Sequence, residues 1–190
     1  MKNNIEWQKR EKPTNPEQIK AFEAKCGYKF PKSYIDLVLK FNGAEVYNYM
    51  TSFFIYNENG EKVNDVFGVG AFLAFGEQNV SDETSLIDWF WENRNCDENY
   101  PFPNHLVPFA YDGGGNYLCF DYRHNQRTNN PRVVFWFHEE AGQLKEGLEV
   151  YYAANSFDEF LDCLFDNRTQ AEKERDAKIR KEYLEMYGDK

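Results

Sequence analysis

The chain has 190 residues, with 22 Lys and Arg against 32 Asp and Glu, a net charge of −10, and 42% hydrophobic and 18% aromatic residues. A chain of this length can bury a full core without a disulfide or metal staple, and its aromatic content excludes long-range disorder. The acidic balance argues against a nucleic-acid backbone as partner, because that affinity is built from Lys and Arg neutralising phosphates.

The first residues, Met1 to Glu6, lack the apolar run that opens a secretory signal. The longest stretch without a charged or strongly polar side chain, Val66 to Gly76, is far short of the ~20 residues that span a bilayer. Cys26, Cys96, Cys119 and Cys163 are widely spaced with no CxxC, which points to reduced, mostly buried thiols in a cytoplasmic protein.

In chain order, Asn15-Pro16-Glu17-Gln18 predicts a helix start, with Asn15 as cap, Pro16 at the first position and Gln18 where a capping box puts its partner. Ile19, Phe22 and Cys26 form its apolar face and Gly27 stops it. A second helix runs from Pro31-Lys32-Ser33-Tyr34 through Ile35, Leu37, Val38 and Phe41 to Asn42-Gly43, completing a helical hairpin. The period then changes. Val46 to Met50 and Thr51 to Tyr56 read as strands, the turn Asn57-Glu58-Asn59-Gly60 follows, and Glu61 to Phe67 and Phe72 to Phe75 are further apolar segments. Ser81 or Asp82 caps an expected helix carrying Leu86, Trp89, Phe90 and Trp91. Val107 to Tyr111 and Tyr117 to Tyr122 form a hairpin about Asp112-Gly113-Gly114-Gly115-Asn116, followed by strands at Arg132 to His138 and Glu149 to Tyr152. Ser156-Phe157-Asp158-Glu159 is a capping box that opens a helix with Phe157, Phe160, Leu161 and Leu164 on one face.

From Thr169 to Lys190 the character changes again. Glu174/Lys178 and Asp176/Arg180 are favourable i,i+4 pairs, and Ile179, Tyr183 and Tyr187 draw one narrow apolar stripe. This is either an exposed helix docked on its own domain or a partner-binding or dimerising helix. Helices before and after a block of strands indicate an α+β fold: an N-terminal helical hairpin and a C-terminal helix packed against a mixed, largely antiparallel β-sheet. Residues 1–168 are expected to form a single domain and 169–190 a charged helical tail.

Three stretches carry a family resemblance. The first is Trp7, then Gly27-Tyr28-Lys29-Phe30-Pro31-Lys32-Ser33-Tyr34, ending at Phe41-Asn42-Gly43. The second is Leu106-Val107-Pro108-Phe109-Ala110 with Asp112-Gly113-Gly114-Gly115-Asn116 and Phe120-Asp121. The third is Val133 to His138 followed by Ala154-Asn155-Ser156-Phe157-Asp158-Glu159-Phe160-Leu161. Together and in this order, across Trp7 to Phe165, they resemble the SUKH superfamily, named partly after the yeast Smi/Knr cell-wall regulators. The resemblance implies helices packed on a mixed sheet. It also implies, for bacterial members, an immunity protein that neutralises a cognate toxin, often a nuclease, and for eukaryotic members a scaffold. Residues 79 to 103 and the tail have no counterpart in these motifs.

The chemistry-bearing residues do not assemble into a familiar catalytic pattern. Asp112 to Asn116 lacks the Lys and Ser/Thr of a phosphate loop, and its glycines supply no calcium ligands, so it reads as a tight turn. His105, His124 and His138 are scattered; Asp121 with His124, or His138 with Glu139 and Glu140, is the nearest approach to a metal set, against the simpler reading of solvated strand ends. Cys119 alternates with apolar neighbours as a core cysteine does. No catalytic residue, metal or cofactor is expected.

The charge divides unevenly. Residues 1–40 carry +4, residues 41–166 carry −15 and residues 167–190 carry +1. Such a field attracts a basic partner, while it also simply assists solubility. The expected partner is therefore a protein, a basic toxin domain of nuclease type blocked by occlusion, with neither nucleic acid nor membrane bound and the chain a monomer or weak homodimer. The alternative is a regulatory, scaffolding interaction module; a hydrolase or metal enzyme ranks third. Candidate contact residues are the acids Glu77, Asp82, Glu83, Asp97, Glu98, Glu139 and Glu140, with the aromatics Tyr47, Trp91 and Trp136 as anchors out of step with the core faces; Tyr49 and Tyr100 share that pattern.

Overall fold

A computed structural model of the chain describes residues 5, 7–8, 11–46, 51–63, 65–76, 86–96, 102–140 and 150–188. The first helix, α1 (Pro16–Cys26), starts as its sequence dictates: the Asn15 side chain accepts from the Gln18 N–H at 2.9 Å, and Gly27, at φ +85°, closes it through its N–H to the Glu23 carbonyl. Gln18 turns its own side chain to the Thr14 hydroxyl. Glu23 is buried because it is employed. Its carboxylate accepts from the Phe30 N–H and from the Lys29 ammonium, both at 2.8 Å, and so holds the link to α2 (Lys32–Lys40).

Asn42, fully buried just beyond α2, donates to the carbonyls of Lys12 and Phe75 and accepts from the Phe75 N–H at 2.9 Å. The residue that reads as a helix stop is therefore also a clamp between two distant segments. After it come β2 (Glu45–Val46), β3 (Thr51–Phe53), β4 (Phe67–Gly68) and β5 (Ala71–Phe72). The expected turn at Asn57 to Gly60 is present, with Asn57 Oδ1 accepting from the N–H groups of Asn59 and Glu61. The strand expected over Glu61 to Phe67 shrinks to a bridge at Lys62 opposite Tyr56 and the short β4. The helix α3 (Ile87–Asn93) carries Trp89, Phe90 and Trp91 as expected, whereas its proposed caps Ser81 and Asp82 lie outside the described residues.

The remaining elements are β6 (Leu106–Tyr111), β7 (Tyr117–Asp121), β8 (Arg132–Trp136), a 3-10 turn at His138–Glu140, β9 (Val150–Ala154), α4 (Phe157–Cys163), β10 (Phe165–Asp166) and α5 (Gln170–Tyr187). The main sheet runs β1-β2-β5-β6-β7-β8-β9, with β1 at Trp7–Gln8, and a small second sheet runs β10-β3-β4. Every ladder between these strands is antiparallel; among the described residues the parallel pairing is the bridge Ala74 to Leu86. The architecture is α+β. Ser156 caps α4 by accepting from the Glu159 N–H, while the Glu159 carboxylate reaches the Asn155 side chain instead of closing the box on Ser156.

Strand alternation separates two apolar faces. On one, Tyr34 of α2 meets Phe30, Phe72, Phe75, Phe109, Phe120 and Phe157, at centroid distances of 5.1 to 6.3 Å and mostly edge-on or tilted, the geometry that suits aromatic quadrupoles. On the other, the cross-strand pair Tyr117 and Trp136 is covered by Phe90 of α3 and by Phe102. The segment without a motif counterpart thus supplies the cover for the second face of the sheet.

α5 carries exposed Ile179, Tyr183 and Met186. Its start is tied down by Arg168, which bonds Asp166 at 2.7 Å and Asp176 at 3.0 Å. Asp176 is engaged by Arg168, Glu174 accepts from Gln170, and Lys178–Glu182 and Lys181–Glu185 form i,i+4 pairs at 3.9 Å each.

Two outcomes follow. The Tyr34 hydroxyl is buried with no acceptor among the described residues, so Tyr34→Phe should leave stability unchanged or raise it by up to about 1 kcal/mol in chemical denaturation. The Arg168 hydrogen bond, with smaller contributions from its charge and that of Lys173, holds the Asp166 carboxyl down at about 2 despite partial burial. A carboxyl depressed in the folded state stabilises above its unfolded value near 4 and loses that contribution as the pH falls toward 2. Hydrogen exchange at the start of α5 should accelerate across that window in the native chain, and Asp166→Asn should remove the step.

Candidate functional site

The β6–β7 hairpin keeps Tyr111 opposite Tyr117, which leaves Asp112 to Asn116 as the turn. Asp112 organises it: Oδ1 accepts from the N–H groups of Gly114 and Asn116, and Oδ2 accepts from the Asn116 side-chain amide at 2.7 Å. The buried Asn116 then reaches across to the end of β8, where its Oδ1 accepts from the His138 backbone N–H at 3.1 Å and from the His138 ring at 2.9 Å. Because the amide oxygen can only accept, Nδ1 carries the proton in this contact. Gly115 has φ +93°, and a Cβ there would come within 3.0 Å of the His138 ring, so both conformation and space demand glycine. Gly70 presses closer still, since a Cβ there would meet the Tyr111 carbonyl at 2.7 Å.

This lock fixes the acidic ridge that follows. Glu139 is exposed; Glu140 is half-buried and accepts from the Tyr151 hydroxyl at 2.6 Å. Burial and then the Glu140 carboxylate push the Tyr151 hydroxyl up to about 12, so it stays a donor at any physiological pH. Asp112, Glu139 and Glu140 therefore share one end of the sheet in a fixed arrangement.

The other candidates separate. Trp91 is half-buried, its ring edge-on to Phe22 and its face covered by the Arg94 guanidinium at 3.8 Å, while Lys25 bonds Asp88 and Glu92 beside it. Trp136 is 5% exposed and packs between Phe102 and Tyr117, so its ring belongs to the core in this conformation. Tyr47, Glu77, Asp82, Glu83, Asp97 and Glu98 lie outside the described residues, as do Tyr49 and Tyr100. Cys26 and Cys119 are buried, and burial pushes both thiols up; Cys96 and Cys163 are exposed, so the expectation of mostly buried thiols holds for two of the four. Asp121 faces Arg123 and Arg132 rather than His124 as a co-ligand. Among the described residues no group of three or more His, Cys, Asp or Glu side chains could hold a metal ion.

The Asn116–His138 contact is the feature that sequence reasoning missed, since it treats His138 as a solvated strand end. The signal was an asparagine closing a glycine turn, but its partner is 22 positions away.

The sequence matches the model of the SMI1 / KNR4 family (SUKH-1) over residues 13–163. The chain belongs to that family. This SUKH-1 chain is also 27% identical over 185 residues to the SPbeta prophage-derived uncharacterized protein YokK of Bacillus subtilis (strain 168), covering 91% of this chain and 84% of that protein. The match contains the hairpin turn, the acidic ridge and the helical hairpin. Among the described residues no helix is long and apolar enough to cross a membrane.

Asn116→Ala in this SUKH-1 fold should cost about 1 to 2 kcal/mol in denaturant unfolding, because it strands the half-buried His138 N–H and removes a donor from Asp112. The amide signals of Gly114 and His138 should shift together.

Proposed function

We propose that this chain is a non-enzymatic, cytoplasmic immunity-type protein that neutralises a toxin by occluding it, and that the toxin domain is basic. The observation that carries this reading is the SUKH-1 match over residues 13–163, the family whose bacterial members this role characterises. The relative in Bacillus subtilis is bacterial, which favours the role of the bacterial members over that of the eukaryotic ones. The charge supports the choice of partner: residues 41–166 carry −15, and Glu139 stands exposed on a ridge braced through Asn116, His138 and Tyr151. A negative surface that needs no rearrangement speeds encounter with a basic groove and resists the wrong partner. The roles seen for Asp112, Asn116 and His138 are mutual support, which suits a binding surface better than proton transfer.

A second reading is favoured by α5, whose Ile179, Tyr183 and Met186 are 56%, 57% and 68% exposed: a scaffold that captures its partner through the tail. Deleting residues 169–190 separates the two, because a ridge-based inhibitor keeps its partner and a tail-based scaffold loses it.

Co-expression with the product of the adjacent reading frame should restore growth, and the two chains should co-purify; a harmless neighbour that is not captured would overturn the proposal. Glu139→Lys, at an exposed position, should leave the fold intact, slow association roughly threefold to tenfold and flatten its dependence on salt in stopped-flow measurements.

A further inference from the structure

At the opposite end of β7 from the acidic ridge, the chain between β7 and β8 lines an open cleft of about 350 Å3, bordered by Asp121, His124, Asn125, Thr128, Asn130 and Arg132, with more apolar than polar surface facing it. The Asp121 side chain is fully buried. Its Oδ1 accepts from the Arg123 backbone N–H at 3.0 Å and Nε at 2.9 Å; its Oδ2 accepts from Arg123 Nη2 at 3.1 Å and Arg132 Nη2 at 2.8 Å. A carboxylate offers about four acceptor positions, and all are filled. Burial pushes this carboxyl up, but the two arginines more than offset that and hold it below the usual carboxylate range, so it remains charged.

Asp121 therefore has nothing left with which to bind a cation. What it does is hold two guanidiniums against one negative charge, leaving the cluster with a net positive charge at the edge of the cleft. Arg132 is 39% exposed, and among the described residues its guanidinium finds an acceptor only through Nη2, so Nε, Nη1 and the second Nη2 hydrogen remain as donors and one two-pronged edge, Nη2 with Nε or with Nη1, stays whole. The loop is braced independently, with Asn125 Oδ1 accepting from the Arg127 N–H at 3.1 Å and Thr128 Oγ1 from the Asn130 N–H at 3.0 Å. One guanidinium edge, already held through Nη2 and bordered by residues with amide and hydroxyl groups, in an open cleft with room for an acidic side chain, matches a carboxylate.

We propose that this cleft binds a carboxylate, presented by an acidic side chain of a protein partner, with Arg132 as its anchor. A nucleic-acid phosphate would meet the same donors, but affinity for a nucleic-acid backbone is built from many phosphates neutralised by Lys and Arg, which a chain of net charge −10 with one such cluster here does not offer, whereas a carboxylate needs only the single anchor. The proposal goes beyond the toxin-neutralising reading and does not rest on it, because the acidic ridge lies at the other end of β7.

The full chain, isotope-labelled, is titrated at low salt with a hexaglutamate peptide, a hexaglutamine control, inorganic phosphate and a single-stranded DNA oligonucleotide, following the Arg132 Nε–H and the backbone signals of residues 124–130. Hexaglutamate should give saturable shifts confined to these groups, and hexaglutamine none. Arg132→Gln should weaken hexaglutamate binding by about tenfold. Asn125→Asp keeps the acceptor for the Arg127 N–H and leaves the Asp121 cluster whole while adding a negative charge, and should weaken binding at least ~fivefold, which decides the matter even where Arg132→Gln fails to fold. The proposal is overturned by scattered or absent shifts with hexaglutamate, by an equal response to hexaglutamine, by a stronger response to phosphate or DNA than to hexaglutamate, or by unchanged affinity in Asn125→Asp. Growth rescue by the intact chain reads the toxin hypothesis separately, whatever the titration shows.

Discussion

Phe30, Phe72, Phe75, Phe109, Phe120 and Phe157 close on the ring of Tyr34, and this packing is what joins helix to sheet. The rings come from the link before α2, from β5 and the residues after it, from both strands of the central hairpin and from α4, so no layer can shift without opening the others. Large flat side chains in edge-on contact fill such a space densely and tolerate little displacement. Two polar clamps at the margin of this core keep their backbone neighbours satisfied. Glu23 serves the Phe30 N–H and Asn42 serves Phe75 and Lys12, both in the interior where an orphaned amide costs most.

The central strand β7 has a different polar device at each end. At its start, Asp112, Asn116 and His138 tie the hairpin turn to the end of β8 and set the acidic ridge of Glu139 and Glu140. At its finish, Asp121 gathers Arg123 and Arg132 and leaves Arg132 donors without an acceptor among the described residues at the edge of a cleft. One aspartate organises backbone amides and the other organises cations, so the same side chain yields surfaces of opposite preference. Both are held by hydrogen bonds within the chain itself, an arrangement that lowers the ordering cost of association. The −15 carried by residues 41–166 is a bulk quantity; how it is met locally depends on which acids are already neutralised within the fold.

Much of the architecture was legible because it is local. The Asn15 cap with Pro16, the Gly27 stop, the Ser156 cap and the glycine turn at 113 to 115 each act within a few residues, and all are found. The three ordered motifs likewise pointed to the SUKH family, and the match over 13–163 bears that out. Legibility failed where the deciding neighbour is remote. Trp136 is out of step with the helix-facing residues, which invites a reading as an exposed anchor, yet Phe102 and α3 cover the sheet's second face. Asp121 and His124 are three residues apart and suggest a metal pair, yet Arg132, brought alongside by the β7–β8 ladder, takes the carboxylate.

By itself, then, the sequence determined the α+β class, the helix caps, the tight hairpin turn and the acidity of the central segment, since these follow from backbone conformational preference, apolar periodicity and counted charge. Only the tertiary structure decided that Asn42 is a clamp, that Asn116 grips His138, that Trp136 is covered and that Asp121 holds two arginines beside a cleft. Each of those outcomes requires two stretches of chain to lie side by side, and strand pairing across tens of residues is set by the packing of the whole core rather than by any local pattern.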